Sequence, residues 1–577
     1  MKLEVPVVDI FAGPGGLGEG FSRHSEFNAD GDLHFSVKLS IEKEPVAART
    51  LRLRAFVRAF AGRKIPDCYY SYVRAVSEAD KSRSFEDMAA MPEWQEAEME
   101  VWNATLGQVP FDELHDRIKG AIDGNHLWVL VGGPPCQAYS VIGRSRRMGI
   151  GEELRQSQSD NLQKETRKRR EDVFFKDEKH TLYREYLKIV AIHQPPFFVM
   201  ENVKGILSSK LDGGYIFDRI LQDLTDPGAA LGNGLSSEWN ADGLGGQPGY
   251  RIHSFVETPD INDNYRKGDY LIRSEDYGVP QERHRVILLG IRKDLNLAPM
   301  QLRKQSRRTS LSDVIGNLPR LRSGRSGRIT HKTRGDRDDS SLKWVEAVKA
   351  SVTRGMRAEI EKDHPRIGSK IKEVLSNLDS TLGRGAGFIR CVPWENSACA
   401  LAAWFKDDSL EGVLQHETRD HMDADFARYL FVAAYGEVMH DSPKLRHFPE
   451  SVLPEHRNAK TEEGRRVFHD RFRVQLPNRA ASTVTCHIRK DGHYFIHYDP
   501  TQCRSLTVRE AARVQTFPDN YFFEGSRTEQ YEQVGNAVPP FLAVQLARIV
   551  ADLVGKSATQ REPDENQRSK PTVQAIG

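Results

Sequence analysis

Cysteine is scarce in this chain: six residues in 577, at positions 68, 136, 391, 399, 486 and 503, with no Cys-x-x-Cys pair and no His/Cys cluster at ligand spacing. That scarcity argues against a disulfide scaffold and against a structural zinc site, and it fits thiols kept reduced. No apolar run approaches a membrane span, and Met1-Lys2-Leu3-Glu4-Val5-Pro6 lacks the basic region and apolar core of a signal peptide. A cytoplasmic protein with no membrane partner is expected. Strong net charge is missing too: the formal balance is +2, so bulk electrostatics point to no partner. Internal repeats are absent. With 38% hydrophobic and 28% charged residues and a mean hydropathy of -0.57, the chain reads as globular, and its length predicts two domains with sizeable cores.

The charge that is present is concentrated. Between Leu302 and Arg337, eleven Lys/Arg (303, 304, 307, 308, 320, 322, 325, 328, 332, 334, 337) stand against two acids, Asp313 and Asp336, and Lys164 to Arg170 adds five positive charges. Such runs suit a phosphate backbone, and either alone reads equally well as a solvated face.

Apolar periodicity organises the rest. Residues 5–11 form a short buried strand, followed by the loop Ala12-Gly13-Pro14-Gly15-Gly16-Leu17-Gly18 and a helix; a second strand, Phe35–Ile41, ends in Glu42, and Ala47–Phe60 is helical. Strand, glycine loop, helix, strand, acid is the order of a nucleotide-type site at a sheet edge. Leu127–Val131, Phe197–Met200 and Val286–Ile291 supply further strands and Tyr183–His193 a helix. The alternation predicts an α/β fold with a doubly wound, mainly parallel sheet and active residues at strand C-terminal ends. Residues 63–126 carry no clear pattern. From about 300 to 470 the alternation stops, marking a second, smaller domain with helices at Ser341–Val352 and Met422–Tyr435. A hairpin is expected around Lys490-Asp491-Gly492, then the helix Val508–Phe517, then a last helix opened by Val534–Pro540 and ending near Val554. The predicted boundaries are 1–300, completed by 495–555, for the first domain, 301–494 for the second, and 556–577 for a polar tail.

The most informative segment is Gly132-Gly133-Pro134-Pro135-Cys136-Gln137, directly after Leu127–Val131. Glycines permit a sharp exit from a strand and two prolines fix the torsions leading to the sulfur. The segment reads either as a nucleophile mounted at a strand tip or as a Gly-Pro turn with a bystander thiol.

Taken in order, Asp9-Ile10-Phe11-Ala12-Gly13-Pro14-Gly15-Gly16, Pro134-Pro135-Cys136-Gln137, Glu201-Asn202-Val203, Gln281-Glu282-Arg283-His284-Arg285-Val286 and Gly535-Asn536-Ala537-Val538-Pro539-Pro540 resemble the motif set of the DNA (cytosine-5)-methyltransferases of bacterial restriction–modification type, over residues 5 to about 550. The resemblance implies a Rossmann-like methyltransferase domain and a variable target-recognition domain at about 300–470, organised by Pro477–Thr485. It implies that Cys136 adds to carbon 6 of a flipped cytosine, that Glu201 delivers or shares a proton at N3, and that Arg283 and Arg285, alternating along one strand face, grip the base carbonyl and a phosphate, with Arg285 nearer the cytosine.

The implied cofactor is S-adenosyl-L-methionine, with no metal. Phe11 would offer a face to adenine or the sulfonium, Ala12, Gly13, Gly15, Gly16 and Leu17 would form the loop, Glu42 would take both ribose hydroxyls, and Pro135, Leu182 and Asn536 would line the pocket. The family's acid for the adenine amino group is not identifiable between Arg52 and His126, Asp67 being the best candidate. Residues 138–180 are expected to form a lid over the flipped base. Expected partners are double-stranded DNA and a cognate restriction endonuclease acting separately, the methyltransferase itself being a monomer. Two alternatives remain at this point: methylation of transfer RNA on the same fold, and a non-catalytic DNA-binding regulator.

Overall fold

The computed structural model describes residues 3–27, 33–134, 178–211, 214–231, 248–326, 339–392, 394, 399–454, 471–490 and 492–568. Its main sheet grows from short apolar runs that bury both faces. The strands β1 (Leu3–Ile10), β2 (Leu33–Glu42), β3 (Val101–Asn103), β4 (Val129–Gly132), β5 (Phe197–Val203), β6 (Tyr250–Ser254) and β7 (His284–Arg292) lie in the order β3-β2-β1-β4-β5-β7-β6, and the short strand Leu271–Arg273 pairs with β7. Period-2 alternation sends Val8, Ile10, Leu130, Phe198 and Met200 into one core, under the helices Phe111–Ile122, Glu178–His193 and Ile216–Thr225. It sends Val5, Val7, Val129, Val131, Phe197 and Val199 into the other, under Gly16–Ser22 and Pro540–Arg568. The doubly wound arrangement expected from the sequence is present.

Strands β1 to β5 are parallel, as expected, whereas β7 runs antiparallel to both β5 and β6. The reversal follows from chain length. Leu271–Arg273 passes through the 3-10 turn Ser274–Tyr277 into β7, with His284 opposite Arg273, and so short a connection closes only an antiparallel pair. As a consequence the first residues of β7 lie beside the last of β5, Arg285 opposite Val203 and Ile287 opposite Glu201.

The patternless stretch 63–126 folds into the helices Asp67–Arg74, Glu78–Ala89 and Pro92–Glu100, then β3, then Phe111–Ile122. Beyond residue 300, the helices Ser341–Ser351, Arg354–Asp363, Pro365–Ser376 and Asp423–Met439 enclose their own core around Trp344, Ile371, Phe426 and Leu430. A further cluster joins Leu311, Val314, Phe405, Val484 and Ile488 to Val508, Phe517, Tyr521 and Val534, so the C-terminal section is packed against the segments beyond 300.

Two local expectations change. The last helix, started by Pro540, continues to Arg568, so residues 556–568 of the expected tail are helical. In place of a hairpin at Lys490–Gly492, Cys486–Arg489 is a 3-10 turn and the antiparallel contact forms later, between Ile496 and Ser505, with the His497 N–H donating to the Arg504 carbonyl at 2.9 Å. Asp491 lies outside the described residues. The stretch Arg527–Gln560 is apolar enough by length and composition to cross a membrane, but 78% of its most apolar window is buried inside the fold, as in a core helix.

Candidate active site

The C-terminal ends of β1, β2, β4 and β5 and the start of β7 converge on one edge of the sheet. β1 leaves the sheet at Phe11, whose φ of 57° is left-handed, and Gly13 and Gly15 follow at 57° and 90°. A non-glycine residue in that region stores strain of about 1–3 kcal/mol and turns the loop back over the sheet edge. The loop is tied down from three sides. Ala12 N–H donates to the Ile41 carbonyl at 3.1 Å, the Tyr521 hydroxyl donates to the Pro14 carbonyl, and Gly13 N–H donates to Glu42 Oε2 at 2.8 Å.

Glu42 closes β2. Its other oxygen accepts the Glu44 N–H at 2.8 Å, and burial pushes its carboxyl above the ordinary value despite those two donors. Each carboxylate oxygen keeps a lone pair for a further donor. Phe11 and Leu182, both half-buried, pack with Trp102 and Ala104 on one apolar cluster. Leu17 is buried behind the loop. Gly16 serves packing: a Cβ there would lie 2.1 Å from the Val538 carbonyl oxygen, so the glycine lets the first helix meet the segment that begins the last one. Asn536, the last residue of the helix Arg527–Asn536, is exposed.

Asp67, the best candidate for the acid sought between Arg52 and His126, lies at the start of its helix with its side chain 83% exposed and paired to Lys64. The end of β3 carries Asn103 instead, in register with Glu42, its amide donating to the carbonyls of Glu42 at 2.8 Å and Lys43 at 3.0 Å. A three-residue strand has too little periodicity for the sequence to reveal it.

The second half of the edge joins Glu201 to Arg285. Glu201 Oε1 and Arg285 Nε are 2.7 Å apart, with side chains 17% and 13% exposed, so the pair is partly open to an incoming group. Close beside it lies the loop leading to the cysteine. A Cβ on Gly133 would sit 2.5 Å from the Glu201 carbonyl and 3.0 Å from Oε2, and Asn202 Nδ2 donates to the Pro134 carbonyl at 3.4 Å. Pro135, Cys136 and residues 138–177 of the expected lid lie outside the described residues, Lys164–Arg170 included.

Arg283 is placed differently from Arg285. The ladder breaks between Gln281–Glu282 and β7, and Arg283 turns inward at the break, 1% exposed, donating to the carbonyls of Val484 at 2.7 Å and Gly535 at 3.3 Å. Burial first, and Arg285 second, lower its affinity for a proton. The alternation expected to align the two guanidinium groups is therefore interrupted. The basic run from Leu302 also differs from a free cationic stripe over its described half. Arg307 pairs with Asp313, Arg308 with Asp276, Arg320 with Asp499, Arg322 with Asp339 and Arg325 with Asp423.

A family model described as C-5 cytosine-specific DNA methylase matches residues 168–229 and 260–551. The type II methyltransferase M.Bpa9945I of Bacillus paralicheniformis is 30% identical over 568 residues, covering 95% of this chain and 99% of the relative. The DNA (cytosine-5-)-methyltransferase M.ApeKI of Aeropyrum pernix is 25% identical over 461 residues, 74% of this chain and 81% of the relative. Among solved structures, the S. pombe Dnmt2 methyltransferase aligns with a TM-score of 0.33 at 10% identity, over 95% of this chain and 99% of that one. With the family model over more than half of its length and one relative matched nearly end to end, the chain belongs to the C-5 cytosine-specific DNA methylases and is a DNA (cytosine-5-)-methyltransferase of the restriction–modification type.

Proposed function

We propose that the chain methylates carbon 5 of a cytosine rotated out of double-stranded DNA, using Cys136 as nucleophile and S-adenosyl-L-methionine as methyl donor. The observation that carries this reading is the Glu201–Arg285 pair at 2.7 Å, set against the Gly133-Pro134 backbone two residues before the cysteine. Carbon 5 of cytosine is a weak nucleophile. A thiolate of Cys136 adding to carbon 6 moves the ring's double-bond electrons toward carbon 5, and Glu201, by sharing a proton with N3, stabilises the charge that reaches the ring nitrogen. Arg285 pairs with Glu201, donates Nη1 to its neighbour's carbonyl at His284, and keeps Nη2 for the base carbonyl. After methyl transfer, loss of the carbon-5 proton to a base returns the electrons and expels the thiolate. Carbon 6 is out of reach in a stacked duplex, so rotation of the base, costing about a few kcal/mol, precedes all of this.

The donor pocket's own groups suit such a donor. Glu42 keeps acceptor capacity for a diol, Phe11 and Leu182 offer an apolar wall, Asn536 is exposed, and the glycine loop carries no lysine of the kind that grips phosphates. This set fits an adenosyl group without phosphates. When bound, S-adenosyl-L-methionine supplies an electrophilic methyl on a sulfonium. Arg283, buried and spent on carbonyls, is read as a positioning group. Residues 301–494 are taken as the domain that reads the target, 1–300 with 495–555 as the catalytic domain, acting in the cytoplasm as a monomer and protecting DNA from a separate endonuclease.

Incorporation of labelled methyl from S-adenosyl-L-methionine into duplex DNA and into transfer RNA, by wild type and Cys136→Ala, tests the reading. Label in duplex DNA alone, lost in C136A while S-adenosylhomocysteine still binds, is the expected outcome. Label in transfer RNA, or turnover by C136A, would overturn it.

A further inference from the structure

Gln281 and Arg283 act on backbone, and the backbone they hold flanks a residue of the donor pocket. Gln281 is fully buried; its Oε1 accepts the Val484 N–H at 2.7 Å, while Arg283 Nη1 donates to the Val484 carbonyl at 2.7 Å, so one residue is gripped at both its polar groups. Arg283 Nη2 then reaches the Gly535 carbonyl at 3.3 Å. Gln281 Nε2 donates to the Val514 carbonyl at 3.2 Å and to the side chain of Gln515, whose own amide donates to the Ala537 carbonyl. Gly535 is pressed onto the same wall: a Cβ there would be 2.4 Å from Cys486 N. Asn536 is thus an exposed residue between two buried neighbours whose carbonyls are each tied back to the Gln281–Arg283 segment.

We propose that Arg283, with Gln281, is a positioning residue that fixes Asn536 through the carbonyls of the residues on either side of it, so that the strand presenting Arg285 to the base also sets one wall of the donor pocket. The proposal rests on the reading of Asn536 as a donor-pocket residue. A planar guanidinium spans two carbonyls that a lysine ammonium, a point charge, does not hold together. Loss of the Nη2 bond frees the Gly535 carbonyl and lets Asn536 move.

The test is the affinity of the full-length chain for S-adenosylhomocysteine, measured calorimetrically for wild type, Arg283→Lys, Arg283→Met, Asn536→Ala and the doubles with Asn536→Ala. Arg504→Lys is the control, because Arg504 is equally buried and donates to the Gln502 side chain, the Ser505 carbonyl and the Glu510 carboxylate, none of which flanks Asn536 or holds the glycine loop. The expected result is weakening by about tenfold in R283K, more in R283M, and no further loss when either is added to N536A, with R504K lowering the melting temperature but not the affinity. R283K folds even if R283M does not, since it keeps the charge and the length. Additive losses in the double variants, or wild-type affinity in R283K, would overturn the clamp while leaving the donor reading intact. Absence of binding by the wild type would overturn the donor reading and the clamp with it.

Discussion

Replacing Asp9 by Asn probes the ground on which the glycine loop stands. Asp9 is 1% exposed beneath that loop; its Oδ2 accepts the Gly18 N–H at 3.2 Å, and Oδ1 has no hydrogen-bond partner among the described residues. Burial, opposed by the Gly18 N–H and by Arg58 and reinforced by Glu100 and Glu42, pushes the carboxyl from 3.8 up to about 7. An unfolded chain ionises the same group near its ordinary value. From about pH 4 upward the unfolded state therefore releases a proton that the folded state keeps, so stability falls as pH rises, until the folded carboxyl ionises as well near 7. A gap of about three pH units, at about 1.4 kcal/mol for each, amounts to about 4 kcal/mol in all, of which about 2–3 kcal/mol develops between about pH 5 and pH 8. Asparagine keeps an acceptor for Gly18 and removes the titration. Urea unfolding across that range should show D9N gaining on wild type by this margin as pH rises. Parallel curves for the two proteins would refute the burial argument, whatever their offset.

Other perturbations have direct readouts. Gly16→Ala places a Cβ 2.1 Å from the Val538 carbonyl and should cost about 1–3 kcal/mol in denaturant unfolding; wild-type stability would contradict the packing described. Glu19→Gln leaves Arg54 unpaired where the two side chains are 2.6 Å apart and 0% and 6% exposed, and should cost about 3–5 kcal/mol, with a melting temperature within error of wild type as the contrary result. Glu42→Gln provides one acceptor where Gly13 and Glu44 need two, so affinity for S-adenosylhomocysteine should fall about tenfold with duplex affinity unchanged in a filter or anisotropy assay. Glu201→Gln should lower single-turnover methyl transfer by about a hundredfold or more with duplex binding retained, and an unchanged rate would remove Glu201 from the chemistry.

The strands that bear the site were legible because each is an apolar run buried on both faces, as in Val129–Gly132 and Phe197–Val203, closed by a residue with chemistry: Glu42, Glu201 or the Gly-Pro loop. Strand direction was not legible. The residues of β7 read the same either way, and only the short link from Leu271–Arg273 reverses it. The break at Arg283 separates two arginines that sequence alternation had aligned. Residues 67–100 gave no signal because their helices pack on one another and on Leu51, Phe56, Leu410 and Leu414, a surface assembled from distant parts of the chain. The acids that pair with the basic run from Leu302 were not legible for a similar reason: Asp276, Asp423 and Asp499 lie far from their arginines in sequence.

The most direct test of the central claim is bisulfite sequencing of DNA from cells expressing the full chain, with Cys136→Ala alongside. The account predicts cytosines protected from conversion at one recurring short sequence in the wild type and none beyond background in C136A. Protected cytosines in both samples, or in neither, would contradict it.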